Sequence, residues 1–121
     1  MITKRKENLY LQLITILKKM GTPAHMKGYV YLRDCIMSVY DDPSLLENMK
    51  KQLYKVVGDL HETTVFCVER DIRTAIEATV DRGDINYLYM IFGNTIRKDK
   101  GKPTNKEFII AIADLLTAIN K

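Results

Sequence analysis

Glu69, Arg70 and Arg73 stand together near the middle of the chain. Residues three and four apart are neighbours on a helix, so the two arginines would present their guanidinium groups side by side. A guanidinium fork matches the two acceptors on the major-groove edge of guanine, and a carboxylate can accept from the amino group of cytosine. Projected on a helix, Phe66, Glu69, Arg70, Arg73 and Glu77 share one side with Thr74 at its edge. The opposite side carries Val65, Val68, Ile72, Ala75, Ile76 and Thr79, an apolar stripe at about 100° per residue. The same charges also make an ordinary solvated face, on which Glu69–Arg73 and Arg73–Glu77 pair at spacing four for roughly a few tenths of a kcal/mol each. Spacing alone leaves both readings standing.

Other chemistry finds little support. Cys35 and Cys67 lack paired spacing and fall inside amphipathic stretches, so neither a disulfide framework nor a zinc module is expected. Joining them with His25 and His61 gives no ligand pattern, and no metal or cofactor is expected. A thiol nucleophile at Cys67 would need a basic partner that the sequence does not offer. No acid/base pair or glycine-rich phosphate loop is visible, which argues against an enzyme. Apolar runs are short and Lys4-Arg5-Lys6 lead straight into an amphipathic pattern, so neither a signal peptide nor a membrane span is expected, and the chain reads as soluble, reduced and cytoplasmic.

The elements that must position the charged face are helical throughout. With 121 residues and 46% hydrophobic content, one domain with one core is expected, spanning 1–121. A net charge of +4 suits a polyanionic partner and equally suits a mildly basic soluble protein. Leu9, Leu13, Ile16, Leu17 and Met20 define a first helix that stops at Gly21-Thr22-Pro23. Tyr29, Leu32, Ile36, Val39 and Tyr40 define a second, closing at Asp41-Asp42-Pro43. Ser44 with Glu47 makes a capping-box pattern at the head of a third stretch, whose apolar residues run from Leu45 through Leu53, Val56 and Val57 to Leu60 as one helix or a turn followed by one. Thr63 or Thr64 caps the fourth helix, about 64–81, which ends at Arg82-Gly83-Asp84. A short fifth holds Ile85, Leu88, Tyr89 and Phe92. After a polar loop with Arg97, Lys98, Lys100 and Lys102, Pro103 and a second capping box, Thr104 to Glu107, open a final helix burying Phe108, Ile109, Ile112, Leu115, Leu116 and Ile119. No sustained strand alternation or internal repeat appears, so the fold class is all-α with six helices.

Helices three and four join through the short corner Leu60-His61-Glu62-Thr63-Thr64, as in a helix-turn-helix whose second helix lies in the groove. Gly58 sits where such a motif needs a small residue, and Val57 and Val68 are placed to pack between the helices. Any two bundle helices can share a tight turn, so the corner is a weak signal by itself.

Three longer stretches go further: 21–29 (Gly-Thr-Pro-Ala-His-Met-Lys-Gly-Tyr), 68–77 (Val-Glu-Arg-Asp-Ile-Arg-Thr-Ala-Ile-Glu), and Lys102-Pro103-Thr104-Asn105 with Glu107-Phe108-Ile109. Together they resemble the DNA-binding effector domain of the stage-zero sporulation protein A family, the sporulation master response regulators, over nearly the whole chain. The resemblance implies a six-helix bacterial domain with a helix-turn-helix that binds short DNA boxes, often as tandem copies, to activate or repress transcription. It implies base contacts at Glu69, Arg70 and Arg73. Phe66, Thr74, Lys102, Thr104 and Asn105 become candidates for the DNA backbone, the last three because a helix start suits phosphate. Asp84, Ile85, Tyr87, Leu88 and Phe92 become candidates for the surface that addresses the polymerase sigma factor. Val65-Phe66-Cys67 depart from the small and basic residues usual in the family, and His61 stands where an apolar residue is more common, which points to a partly buried, hydrogen-bonded histidine. The family's phosphorylatable receiver is not expected within 1–121, implying an excised domain or a stand-alone regulator. A helical protein-interaction module that kept the fold and lost DNA affinity is the alternative.

Overall fold

Leu9, Leu13, Ile16, Leu17 and Met20 turn inward along α1 (Lys4–Met20) of the computed structural model, which describes residues 4–93 and 101–121. They meet α2 (Lys27–Asp41), α4 (Val65–Arg82) and α6 (Asn105–Ile119) in one core centred on Leu32, Ile36, Ile72, Ile76, Phe108 and Ile112, all fully buried. The remaining helices are short: α3 (Tyr54–Leu60) and α5 (Ile85–Phe92). All six are α-helices and no strand occurs among the described residues, so the all-α class holds. Arg97, Lys98 and Lys100 of the polar loop lie outside the described residues.

α2 runs through the middle of the bundle and packs chiefly on α4 and α6. Gly28 makes its contact with α4 this close: a Cβ there would lie 2.0 Å from the Asp71 carbonyl oxygen and 2.8 Å from the Ala75 Cβ. The far end of α4 is held to the corner between α1 and α2. A Cβ on Gly83 would fall 2.1 Å from the Met20 carbonyl oxygen, and the buried hydroxyls of Thr79 and Thr22 share a hydrogen bond of 2.9 Å. Each such bond stabilises by about 1 kcal/mol when formed, and an unmade partner in the core costs more.

The third stretch takes the second of its two expected forms, turns followed by a helix. Pro43–Asn48 is a 3-10 helix and Met49–Leu53 a π-helical turn, so only Tyr54–Leu60 is α-helical. The Ser44–Glu47 capping box does not form, because the Asp42 carboxylate takes both the Ser44 amide (3.1 Å) and the Ser44 hydroxyl (2.6 Å). Asp42 is the N-cap and Pro43 the first helical residue, so Ser44 lies inside the first turn and its amide is taken by Asp42 before Glu47 can reach it. Asn48 then leaves helical geometry, and its side chain accepts from Lys51 N–H (3.1 Å), restarting the chain in a new direction. Turned by these caps, Val56 and Leu60 face solvent instead of the core, as does Ile119 at the end of α6. The second box forms as expected: Thr104 Oγ1 accepts from Glu107 N–H and the Glu107 carboxylate accepts from Thr104 N–H.

Gly28→Ala is expected to lower unfolding free energy by about 3 kcal/mol, the upper end for overpacking, since the obstructing atom is backbone oxygen. Gly58→Ala, whose Cβ would meet the Thr63 carbonyl oxygen at 3.0 Å, should cost about 1 kcal/mol. Urea denaturation of both variants checks the order, and a Gly28→Ala protein as stable as the parent would refute the close-crossing account.

Candidate nucleic-acid interface

The corner before α4 is built by short local bonds. Thr63 N–H donates to the Gly58 carbonyl (2.8 Å), and Glu62 takes a positive φ of 54° to reverse the chain. Thr64 then caps α4, its Oγ1 accepting from Cys67 N–H at 3.0 Å, a bond worth about 1 kcal/mol to the helix. His61 is partly buried at the corner, where its Nε2 pairs with the Asp34 carboxylate of α2 and its ring packs 5.3 Å from Tyr31. Val57 and Val68 are buried between the two helices. A helix-turn-helix corner thus sets the first turn of α4.

Val68, Ile72, Ala75, Ile76 and Thr79 are buried along α4, and the opposite side faces solvent. Phe66, Arg70, Arg73 and Glu77 are exposed there, with Glu69 half-buried beside them. The Arg73 guanidinium stands 3.8 Å from the Glu69 carboxylate, one of the two ion pairs that spacing allowed. Arg70 donates to Asp71 Oδ1 (3.3 Å) and lies 5.6 Å above the Phe66 ring. Thr74 sits at the edge of this face, its hydroxyl donating to the Arg70 carbonyl at 3.1 Å. Exposed pairs of this kind contribute little, roughly 0.2–1 kcal/mol, and are readily exchanged for another anion.

Beside the face runs a groove of about 940 Å³ between the 46–50 segment, α4 and the 101–106 segment. Lys50, Arg73, Lys102 and Lys106 line it, along with Glu47, Glu69 and Glu77. Lys102 is held 3.0 Å from Asp81 of α4. Lys50 and Lys106 carried no sequence signal, because the groove joins segments more than fifty residues apart.

Asn105 is partly buried at the start of α6. Its amide donates to the Glu69 carbonyl (3.0 Å) and to the Tyr54 hydroxyl (3.3 Å), tying the start of α6 to the middle of α4 and the start of α3. Its side-chain amide is therefore engaged inside the protein. Thr104 remains exposed at the same helix start. Tyr54 is 2% exposed, and burial pushes its phenol up to about 12, with the Asn105 bond opposing the rise.

Asp84 caps α5 through the Asn86 and Tyr87 amides, and Ile85, Tyr89 and Met90 are exposed along it. Leu88 and Phe92 are buried, Phe92 packing 5.2 Å from Phe108, so these two support the helix from below and offer no surface. Hydrogen bonding by Thr64 and Thr63 lowers the Cys67 thiol below its ordinary value, while burial raises that of Cys35. Among the described residues no cluster of three or more His, Cys, Asp or Glu could hold a metal ion, and no helix is long and apolar enough to cross a membrane.

A model described as the sporulation initiation factor Spo0A C terminal matches residues 13–116. The chain belongs to this family. The Spo0A C-terminal family is the DNA-binding domain of a sporulation regulator and is not an enzyme family, so DNA-binding regulation is the general role of this chain.

The Tyr54 shift fixes the sign of an alkaline effect. With the folded phenol above its unfolded value, the folded state keeps a proton that the unfolded chain releases, so this stability is present below about pH 10 and lost as pH rises toward about 12. Tyr54→Phe should therefore flatten the fall of the urea midpoint between pH 9.5 and 11.5, in units set by roughly one titrating group. Parallel declines in the two proteins would contradict it.

Proposed function

We propose that this domain binds DNA sequence-specifically, with α4 lying in the major groove. The observation that carries the reading is the solvent face of α4, where Arg70 and Arg73 stand exposed on a helix whose other side is fully in the core. In this reading Arg70 and Arg73 donate to base edges and Glu69 accepts from a cytosine amino group. Glu69 is released for that contact when its 3.8 Å pair with Arg73 opens. Lys102, Thr104 and Thr74 contact the backbone, joined by Lys50 and Lys106 from the groove beside α4. Residues 1–121 act as one effector unit, and two copies bind as a tandem dimer on repeated boxes. Asp84, Ile85 and Tyr87 belong to the contact with polymerase sigma factor, supported by the exposed apolar side of α5.

Fluorescence anisotropy on a selected duplex against a scrambled one, across a salt series, tests the reading. Arg70→Ala and Arg73→Ala should each cost about 1–3 kcal/mol and relax discrimination at one base pair. Equal weakening on every sequence would make them phosphate contacts. Equal weak binding of the parent to both duplexes would instead favour a protein-interaction module, for which exposed Leu60 and Phe66 provide apolar surface. Separately, Ile85→Ser should abolish capture of purified sigma factor without changing DNA affinity, and unchanged capture would remove α5 from that contact.

A further inference from the structure

Phe66 is the second residue of α4 and is 69% exposed, on the same side as Arg70 and Arg73. Its neighbour Val65 packs against the core, and Thr64 fixes the first turn through its cap, so the outward placement of the ring is built into the backbone. A phenyl ring has no donor for a phosphate oxygen, which sets Phe66 apart from the other candidates for the DNA backbone. The Arg70 guanidinium rests over the ring at 5.6 Å, one helical turn along. Ring and guanidinium would therefore enter a groove as one unit. On the major-groove edge the apolar feature is the 5-methyl group of thymine, and the feature that suits arginine is guanine.

We propose that Phe66 is a specificity-determining residue that contacts the 5-methyl group of a pyrimidine next to the guanine engaged by Arg70. The assignment rests on the placement of α4 in the major groove. Thymine and 5-methylcytosine present the same methyl, and thymine is the natural occupant in an unmodified duplex.

The test uses the full chain and the duplex it enriches most from a randomised pool. Each thymine is replaced singly by deoxyuridine, which deletes the methyl and leaves pairing intact. At one position, beside the guanine whose 7-deaza replacement weakens the parent but not Arg70→Ala, binding should fall about fourfold, the effect of one buried methyl-sized group. Phe66→Asn should bind the thymine and deoxyuridine duplexes equally, and Phe66→Leu should keep most of the thymine preference. If no deoxyuridine replacement weakens the parent while 7-deazaguanine does, the methyl contact is overturned and the groove placement survives. If Phe66→Asn loses the same affinity on both duplexes, the ring acts without the methyl and the proposal also fails. If the chain enriches no sequence at all, the groove placement falls and the proposal with it.

Discussion

The contact between α2 and α4 at Gly28 is the constraint on which the other placements depend. With a Cβ barred by the Asp71 carbonyl, the two helix backbones touch, and the stripe from Val68 to Thr79 is forced against α2. The opposite side of α4 must then face outward, whatever its residues are. Close backbone approach of this kind tolerates only glycine, and it converts one residue type in α2 into the orientation of a whole helix. Gly83 and the Thr79–Thr22 bond fix the other end, so α4 cannot rotate about the crossing point.

A second layer of small bonds refines that orientation. The Thr64 cap, the Gly58–Thr63 corner and the Asn105 bridge to Glu69 and Tyr54 each act on the backbone near the exposed face. None contributes more than about 1–2 kcal/mol. Their value is positional, because each fixes the backbone that carries the exposed side chains of α4. Asn105 matters for this reason: it links α6 to Glu69 in the helix that carries the charged face, 36 residues away in the chain.

Much of this architecture was legible in the residues. The 3.6-residue apolar pattern located α1, α2, α4 and α6, and the Thr104–Glu107 pattern located a real cap. The charged side of α4 was also readable, since the buried stripe is nearly uninterrupted. What failed was local competition and distance. At 42–53 several polar side chains can cap, and the helix begins at Pro43 with Asp42 as its cap, two residues ahead of where a Ser44 cap would start it. In α5, eight residues are too few for periodicity to separate buried Leu88 and Phe92 from exposed Tyr89 and Met90. The groove lysines and the Asn105 bridge join remote segments, which no spacing rule within one helix can anticipate.

With α4 in the major groove as proposed, the Glu69–Arg73 pair has a consequence for encounters with nucleic acid. A carboxylate 3.8 Å from Arg73 repels a phosphate backbone that approaches this face and competes with it for Arg73. Random sequences must therefore break an internal attraction and offer Glu69 nothing in return. A duplex that supplies a suitably placed amino group compensates both losses at once. In that placement the acidic residue acts as a filter, lowering attachment to the bulk of the genome more than attachment to the intended site.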